Sequence, residues 1–336
     1  MKPLVSILIP AFNAEKWIGE TLRSAILQTW VPKEIVVVDD GSKDRTLHVA
    51  KQFESHEVRV FTQVNRGAAA ARNTAFNLSR GEYIQWLDAD DLLSPNKIAS
   101  QMSLVEQFGS KRTLLSCGWG QFLYRYDRAT FTPTPLWCDL PASEWLVRKM
   151  GQNLHMQTAT WLVSRELTEA AGPWDTTLAV DDDGEYFCRV LVKSDGVRFA
   201  PGARVYYRAS GAGSLSYIGD SNQKREAQWR SMQLHIGYLR SLEDSPRIHS
   251  ACVNYIQGWL SYFYPERLDL VDKMQVMVSS LGGELEIPRL PWKYSWIELF
   301  FGREIARTVQ IRLPRLKWAL VRSHDQLMFR IAKRNV

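Results

Sequence analysis

The stretch VSILIPAFNAEKWIGETLRSAILQTWVPKEIVVVDD (residues 5–40) decides how the chain is built. Residues 5–10 are apolar and largely β-branched, as a buried strand requires. Residues 14–28 then set Trp17, Ile18, Thr21, Leu22, Ala25 and Ile26 at helical spacing, and residues 34–40 return as a second apolar strand without polar alternation. Two strands joined by a helix are expected to lie parallel, because parallel neighbours need a crossover connection.

The same alternation continues outward. GSKDRTLHVAKQFES (41–55) reads as a turn, a capping Ser42 and a helix, and VRVFTQ (58–63) as a third strand. NRGAAAARNTAFNLSRG (65–81) reads as a glycine-containing loop feeding an Ala-rich helix that ends at Gly81. EYIQWLD (82–88) is a fourth strand. The expected fold is α/β, Rossmann-like, with a mostly parallel sheet covered on both faces; ligands of such sheets bind in the crevice beyond the carboxyl ends of the strands.

Acidic and polar residues collect at those ends: PAFN (10–13) after the first strand, Asp39 and Asp40 after the second, Asp88, Asp90 and Asp91 after the fourth. A lone Asp before Gly or Ser is usually a turn former or a helix cap. Three carboxylates within four residues repel one another unless a cation or a ring of donors offsets them. An Asp-x-Asp at a strand end suits Mg²⁺ or Mn²⁺, which use one or two carboxylates together with substrate phosphates and water. A nucleoside diphosphate is the natural ligand. No G-x-G-x-x-G follows a strand and no Walker A motif occurs, so the nucleotide is held in another way. Pro10 and Phe12 are expected to wall the base, Asp40 to meet its edge, and Arg72 to reach the diphosphate, although a surface Arg is often only solvated.

Composition sets the bounds. The 336 residues, 45% hydrophobic and 23% charged, make an ordinary globular chain. Cys117, Cys138, Cys188 and Cys252 show no metal-site or disulfide spacing, which predicts reduced thiols and an intracellular protein. MKPLVSILIP suits a first strand better than a signal peptide, and no apolar run is long enough to span a bilayer.

The four blocks VSILIPAFNAEKWIGETLRSAILQTW, EIVVVDDGSKDRT, NRGAAAARNTAF and RGEYIQWLDADDLLSPNKI, in this order, resemble those of family-2 glycosyltransferases, which have the GT-A fold. The resemblance is continuous over about the first 100 residues and weaker to about residue 216. It implies a nucleotide-sugar donor, with a UDP-sugar the leading expectation, a divalent cation (Mn²⁺ or Mg²⁺) and inversion at the anomeric carbon. By position it assigns Asp40 to the base, Asp88 to the ribose and diphosphate, and the metal to Asp90 or Asp91.

Inverting transfer also needs a general base on the face opposite the leaving group. AAGPWDTTLAVDDDGEYFCRVL (170–191) is similar to a later block of the family, in which an acidic pair precedes an Arg by six residues. Counting back from Arg189 gives Asp182 and Asp183, with Asp183 the candidate base, although the third acid, Asp181, leaves the register open by one. Acids at a helix start also complement its dipole without any catalytic role. Trp161 and Trp174 are candidates for sugar stacking, with core packing the commoner fate of Trp; His155 is expected near the acceptor cleft. Arg208 is a further candidate for phosphate. Ser210 stands where many relatives carry His, and the glycine-rich 210–216 is expected to form a loop over the site.

The chain thus divides, on this reading, into a catalytic domain at 1–220 and a helical region at 221–336. Residues 289–336 hold 11 Lys and Arg against Glu298, Glu304 and Asp325, a charge of +8 that leaves −2 for the rest. Ile297, Phe301, Ile305 and Val309 recur every fourth residue beside Arg303, Arg307 and Arg312; after Pro314, Leu316 and Leu320 repeat the pattern beside Arg315, Lys317 and Arg322. Such a basic amphipathic tail suits a membrane surface or a helix packed on the catalytic domain. Nucleic acid is not expected, since no binding motif accompanies the charge.

The sequence therefore predicts a cytoplasmic enzyme, peripheral at the inner face of the membrane, that transfers sugar to a glycan or lipid-linked acceptor. The rivals are a sugar-1-phosphate nucleotidyltransferase, whose glycine-rich phosphate loop is missing, and a non-catalytic glycan- or membrane-binding scaffold.

Overall fold

A computed structural model describes residues 2–209, 218, 221–288 and 291–334; side chains at 303, 304, 307, 308, 311, 315 and 332–334 lie outside that description, as do Ser210 and the glycine-rich residues after it. Strands β1 (Val5–Ala11), β2 (Lys33–Asp39), β3 (Val58–Thr62) and β4 (Tyr83–Trp86) are parallel. A short β8 (Val163–Ser164) pairs antiparallel with β4, giving the order β3-β2-β1-β4-β8. A second sheet, not foreseen from sequence, has the order β5 (Leu92–Leu93), β9 (Gly196–Arg208), β6 (Thr113–Phe122), β7 (Thr130–Phe131). It brings the ends of β6 and β9 beside the acidic cluster that follows β4.

Strand alternation divides the core. Val5, Ile7, Ile9, Ile35 and Val37 pack on one face of the first sheet, and Leu8, Val36, Val38, Ile84 and Trp86 on the other. Both faces are dry, which is why these strands read as continuous apolar runs. Burial of each such side chain contributes roughly 1.5–3 kcal/mol.

The covering helices are α1 (Ile18–Ile26), α2 (Thr46–Lys51), α3 (Ala68–Leu78), α4 (Lys97–Phe108), α5 (Ala142–Gly151), α6 (Arg165–Ala171) and α7 (Asp182–Lys193). Two starts differ from expectation. Residues 14–17 form a turn closed by the Trp17 N–H on the Ala14 carbonyl (2.9 Å), so α1 begins later. The Ser42 hydroxyl does not cap α2: it accepts from the Asn13 N–H, and the Asp44 carboxylate takes the Thr46 N–H at 2.9 Å.

The C-terminal part adds α8 (Asn222–Leu242), α9 (Pro246–Trp259), α10 (Leu268–Ser280), α11 (Ser295–Phe301) and α12 (Arg303–Arg334). Met232, Ile236, Leu239, Ile248, Cys252 and Ile256 of α8 and α9 share one core with Trp145, Leu146 and Leu191 of α5 and α7. The helix α12 runs through Pro314, whose ring removes one N–H donor. Ile297 and Val309 of the periodic apolar pattern pack with Tyr294 and Ala306 to fold α11 onto α12. All four cysteines are free thiols.

Candidate active site

The site is built where β1, β2 and β4 end. At the end of β1, Pro10 is buried and Phe12 is 48% exposed, so of the two only the Phe ring is open to a ligand. At the end of β2, Asp40 is buried and its carboxylate accepts from the Gly67 N–H (2.8 Å), the Arg66 N–H (3.0 Å) and the Gln63 amide (2.7 Å). Those bonds fix the loop before α3, whose Gly67 has a φ of +89°, a conformation open to Gly. Asp40 thereby sets where α3 starts. Its neighbour Asp39, not singled out from sequence, is equally buried. One of its oxygens accepts from the Ser42 N–H and the Thr62 hydroxyl, while Oδ1 has no partner among the described residues.

Arg72, one turn into α3, is almost fully buried. Its Nη2 donates to Asp88 and its Nη1 to Asp182, each at 2.8 Å, and its guanidinium lies 4.4 Å from the Trp174 ring. The two flanking carboxylates raise its pKa further above the usual Arg value, against the effect of burial. Trp174 itself is 2% exposed and stacks on Tyr186 at 4.0 Å; Trp161 is 1% exposed. Both indoles belong to the core, and Trp174 acts as the floor beneath Arg72.

The acids after β4 differ sharply in environment. Asp88 is partly exposed and held by Arg72. Asp91 is fully buried, its oxygens taken by the Arg208 N–H (2.8 Å) and by the Gln157 amide; burial, with Asp90 and Asp88 nearby, pushes its carboxyl well up. Asp90 is half-buried, and its carboxylate accepts from its own backbone N–H. Burial and the Asp88 charge push its carboxyl up to about 6, with Arg208 opposing. Arg208 does not reach open solvent. It lies 4.0 Å from the Trp17 ring and donates to Glu20 (2.9 Å) and to the Asp90 carbonyl (2.8 Å), bracing the acidic turn from behind.

The run Asp181, Asp182 and Asp183 separates into three tasks. Asp181, at a left-handed φ of 57°, turns to α8, accepting from Ser231 Oγ (2.7 Å) and Gln228 Nε2 (3.1 Å). Ser231 in turn neighbours the buried His235, whose Nδ1 meets the Tyr255 hydroxyl at 2.8 Å. Asp182 is bound by Arg72, and burial pushes its carboxyl up to about 6 despite that cation. Asp183 accepts from the Thr158 hydroxyl at 2.9 Å and lines a cavity of about 40 Å³ with Lys149, His155 and Gly184. His155 is exposed, edge-on to Trp119 at 5.5 Å. Asp182 and Asp183 also occupy the first turn of α7, where the helix dipole favours them.

Among the described residues, no three His, Cys, Asp or Glu side chains gather as a metal cage. A hard cation with phosphate and water ligands needs only one or two carboxylates, and the open carboxylate of Asp90 beside Asp88 fits that requirement.

Residues 6–169 match the model of glycosyl transferase family 2. This segment belongs to that family. An uncharacterised glycosyltransferase of Rickettsia typhi is 38% identical over 117 residues, 35% of this chain and 36% of the relative. The chain spans from 19% to 56% of the length of the first curated relatives it matches. Among solved structures, residues 1–349 of S. aureus TarS in complex with UDP-GlcNAc superpose with a TM-score of 0.66 at 17% identity, covering 84% of this chain and 80% of TarS. The mannosyltransferase PcManGT from Pyrobaculum calidifontis, in complex with GDP-Man and Mn²⁺, superposes at 0.52 with 16% identity, covering 84% and 86%. These likenesses show that the α/β fold is of the GT-A type.

Proposed function

We propose that the protein transfers a sugar, with inversion, from a nucleoside-diphosphate donor to a hydroxyl of a glycan or lipid-linked acceptor, in the synthesis of a cell-surface polysaccharide or glycoconjugate. The observation that supports the reading is the ion bridge through Arg72, which holds Asp88 of the donor-side turn against Asp182 at the start of α7, each the near neighbour in the chain of a proposed functional acid, Asp90 and Asp183. Neighbours of the same fold bound to UDP-GlcNAc and to GDP-Man with Mn²⁺ support a nucleotide-sugar donor, and a UDP-sugar is the first to test.

In this reading Phe12 stacks on the base and the unpartnered Oδ1 of Asp39 accepts from its edge, while Asp40 keeps the supporting loop in place. Asp90 is the metal ligand, with Asp91 tying the turn to β9 from beneath. Bound there, Mn²⁺ or Mg²⁺ would neutralise charge developing on the departing diphosphate. Asp183, oriented by Thr158, takes the proton of the acceptor hydroxyl. That oxygen forms a bond to the anomeric carbon as the bond from carbon to the diphosphate oxygen breaks, and the diphosphate leaves with the electron pair. Arg72, already paired twice, fixes the distance between the two halves of the site.

The test is donor turnover by purified protein with a panel of nucleotide sugars, with and without Mn²⁺. Asp183→Asn is expected to bind donor but lose transfer, and Asp90→Ala to lose metal-dependent donor binding. Turnover like that of the wild type in both variants overturns the mechanism, and pyrophosphate release from a nucleoside triphosphate would identify a nucleotidyltransferase instead.

A further inference from the structure

We propose that the outer face of α12, with the exposed part of α11, is a docking surface for an anionic phospholipid bilayer. At 3.6 residues per turn, Ile305, Leu313, Leu316, Leu320, Leu327 and Ile331 fall within about 80° of one another around α12. These six side chains are between 46% and 73% exposed. The stripe runs for about 39 Å at 1.5 Å per residue.

From Leu313 onward the helix is attached to the rest of the molecule by its opposite side, whereas its first turns pack on α11 through Ala306 and Val309, the latter within the arc of the stripe. Asp325 accepts from the Tyr124 N–H (2.9 Å) and from Arg125 Nε (2.6 Å), and Phe329 meets the Tyr124 ring at 5.9 Å. Asp325 and Phe329 lie roughly 160° from the centre of the stripe on the same helical count. Docking through that side leaves the stripe outward from Leu313 to Ile331. In α11, Trp296, Leu299 and Phe300 are exposed as well.

Charge selects the occupant. Arg312 and Arg330 border the stripe on one side and Lys317 on the other, all exposed, within a segment of net charge +8. Apolar side chains rimmed by cations with long alkyl stems are matched to acyl chains beneath anionic headgroups. A second copy of the helix fits poorly. In the heptad defined by Leu313, Leu316, Leu320 and Leu327, the remaining seam positions are Ser323 and Arg330, both polar and exposed. No helix among the described residues is long and apolar enough to cross a membrane, so α12 would lie in the interface. This surface stands apart from the transfer reading, because vesicle binding is measured without any donor.

The experiment is co-sedimentation of the full chain with vesicles of phosphatidylglycerol mixed with phosphatidylcholine, and with pure phosphatidylcholine. The wild type is expected to pellet with the anionic vesicles and to be released by salt. Leu316→Glu with Leu320→Glu is expected to cut binding at least about tenfold with an unchanged circular dichroism spectrum, since both side chains are exposed. Lys317→Glu with Arg330→Glu is expected to weaken binding to anionic vesicles and to blunt the salt response. A wild type that stays in the supernatant, or equal binding by the Leu316→Glu/Leu320→Glu chain, overturns the proposal. So does a stable dimer in light scattering that those two changes dissociate.

Discussion

Arg72 donates to Asp88 and to Asp182 at 2.8 Å each, although Asp182 lies 110 residues away in the chain. The pair of bonds joins the acidic turn after β4 to the start of α7. Removing the guanidinium leaves two carboxylates facing each other in a poorly hydrated crevice. Arg72→Ala should therefore destabilise the fold by about 3–5 kcal/mol, the usual cost of stranding a buried charge. Arg72→Lys should recover only part, because a single ammonium cannot reproduce the planar fork or the contact with Trp174. Urea denaturation measures both, and a loss below about 1 kcal/mol for Arg72→Ala would refute the bridge.

Proton and metal should compete at the same turn. Asp90 and Asp182 are both pushed up to about 6, first by burial, and Asp91 is pushed well above the usual range. A carboxyl whose folded pKa exceeds its unfolded value binds more protons when folded. Its cost to stability is full above the folded pKa and is relieved as the pH falls toward the unfolded value near 4. These groups should thus make the metal-free chain gain stability between about pH 7 and pH 4. The rise in Tm on adding Mn²⁺ should be larger at pH 7 than at pH 5, since ionised Asp90 is the ligand. Thermal-shift curves at the two pH values decide it, and an equal Mn²⁺ effect at both contradicts the assignment.

The helices after residue 221 should matter to turnover. Ser231 and Gln228 of α8 hold Asp181, whose left-handed backbone sets the first turn of α7. Ser231→Ala removes the shorter bond without adding bulk. The expected effect is a fall in kcat of roughly tenfold with little change in donor KM, as for loss of orientation at a base one turn away. Equal kcat in Ser231→Ala and wild type would confine α8 to a packing role.

The parallel sheet was legible because each strand is buried on both faces and each connection carries its turn residues, so Asp88, Asp90 and Asp91 could be placed at a strand end from periodicity alone. The pairing of Arg72 with Asp182 was not legible. It depends on how α7 returns over the sheet, and no local pattern encodes that path. Asp39 and Asp40 were both placed at the strand end, but which of them holds the loop was not legible, because two adjacent side chains of a strand end point to opposite sides. Trp161 and Trp174 read as stacking candidates, yet burial against Phe187 and Tyr186 claims both. The tail was legible in its periodicity but not in its attachment, since the bond from Tyr124 to Asp325 spans 201 residues.

Asp90 and Asp91 are adjacent and chemically identical, so substitution should separate them by environment. Asp91 accepts from the Arg208 N–H and the Gln157 amide in a fully buried site. In Asp91→Asn, the amide that replaces one oxygen would turn a donor toward a donor and leave buried groups unmet. The expected cost is about 1–3 kcal/mol of stability. Asp90 has only the local bond from its own backbone N–H to lose, and its substitution removes a carboxylate that burial and Asp88 already disfavour. Asp90→Asn should therefore be as stable as the wild type or slightly more so without metal, while losing the Mn²⁺-dependent shift in Tm. Paired melting curves with and without Mn²⁺ distinguish the two roles, and the reverse pattern, a metal response lost in a folded Asp91→Asn and kept in Asp90→Asn, would transfer the ligand role to Asp91.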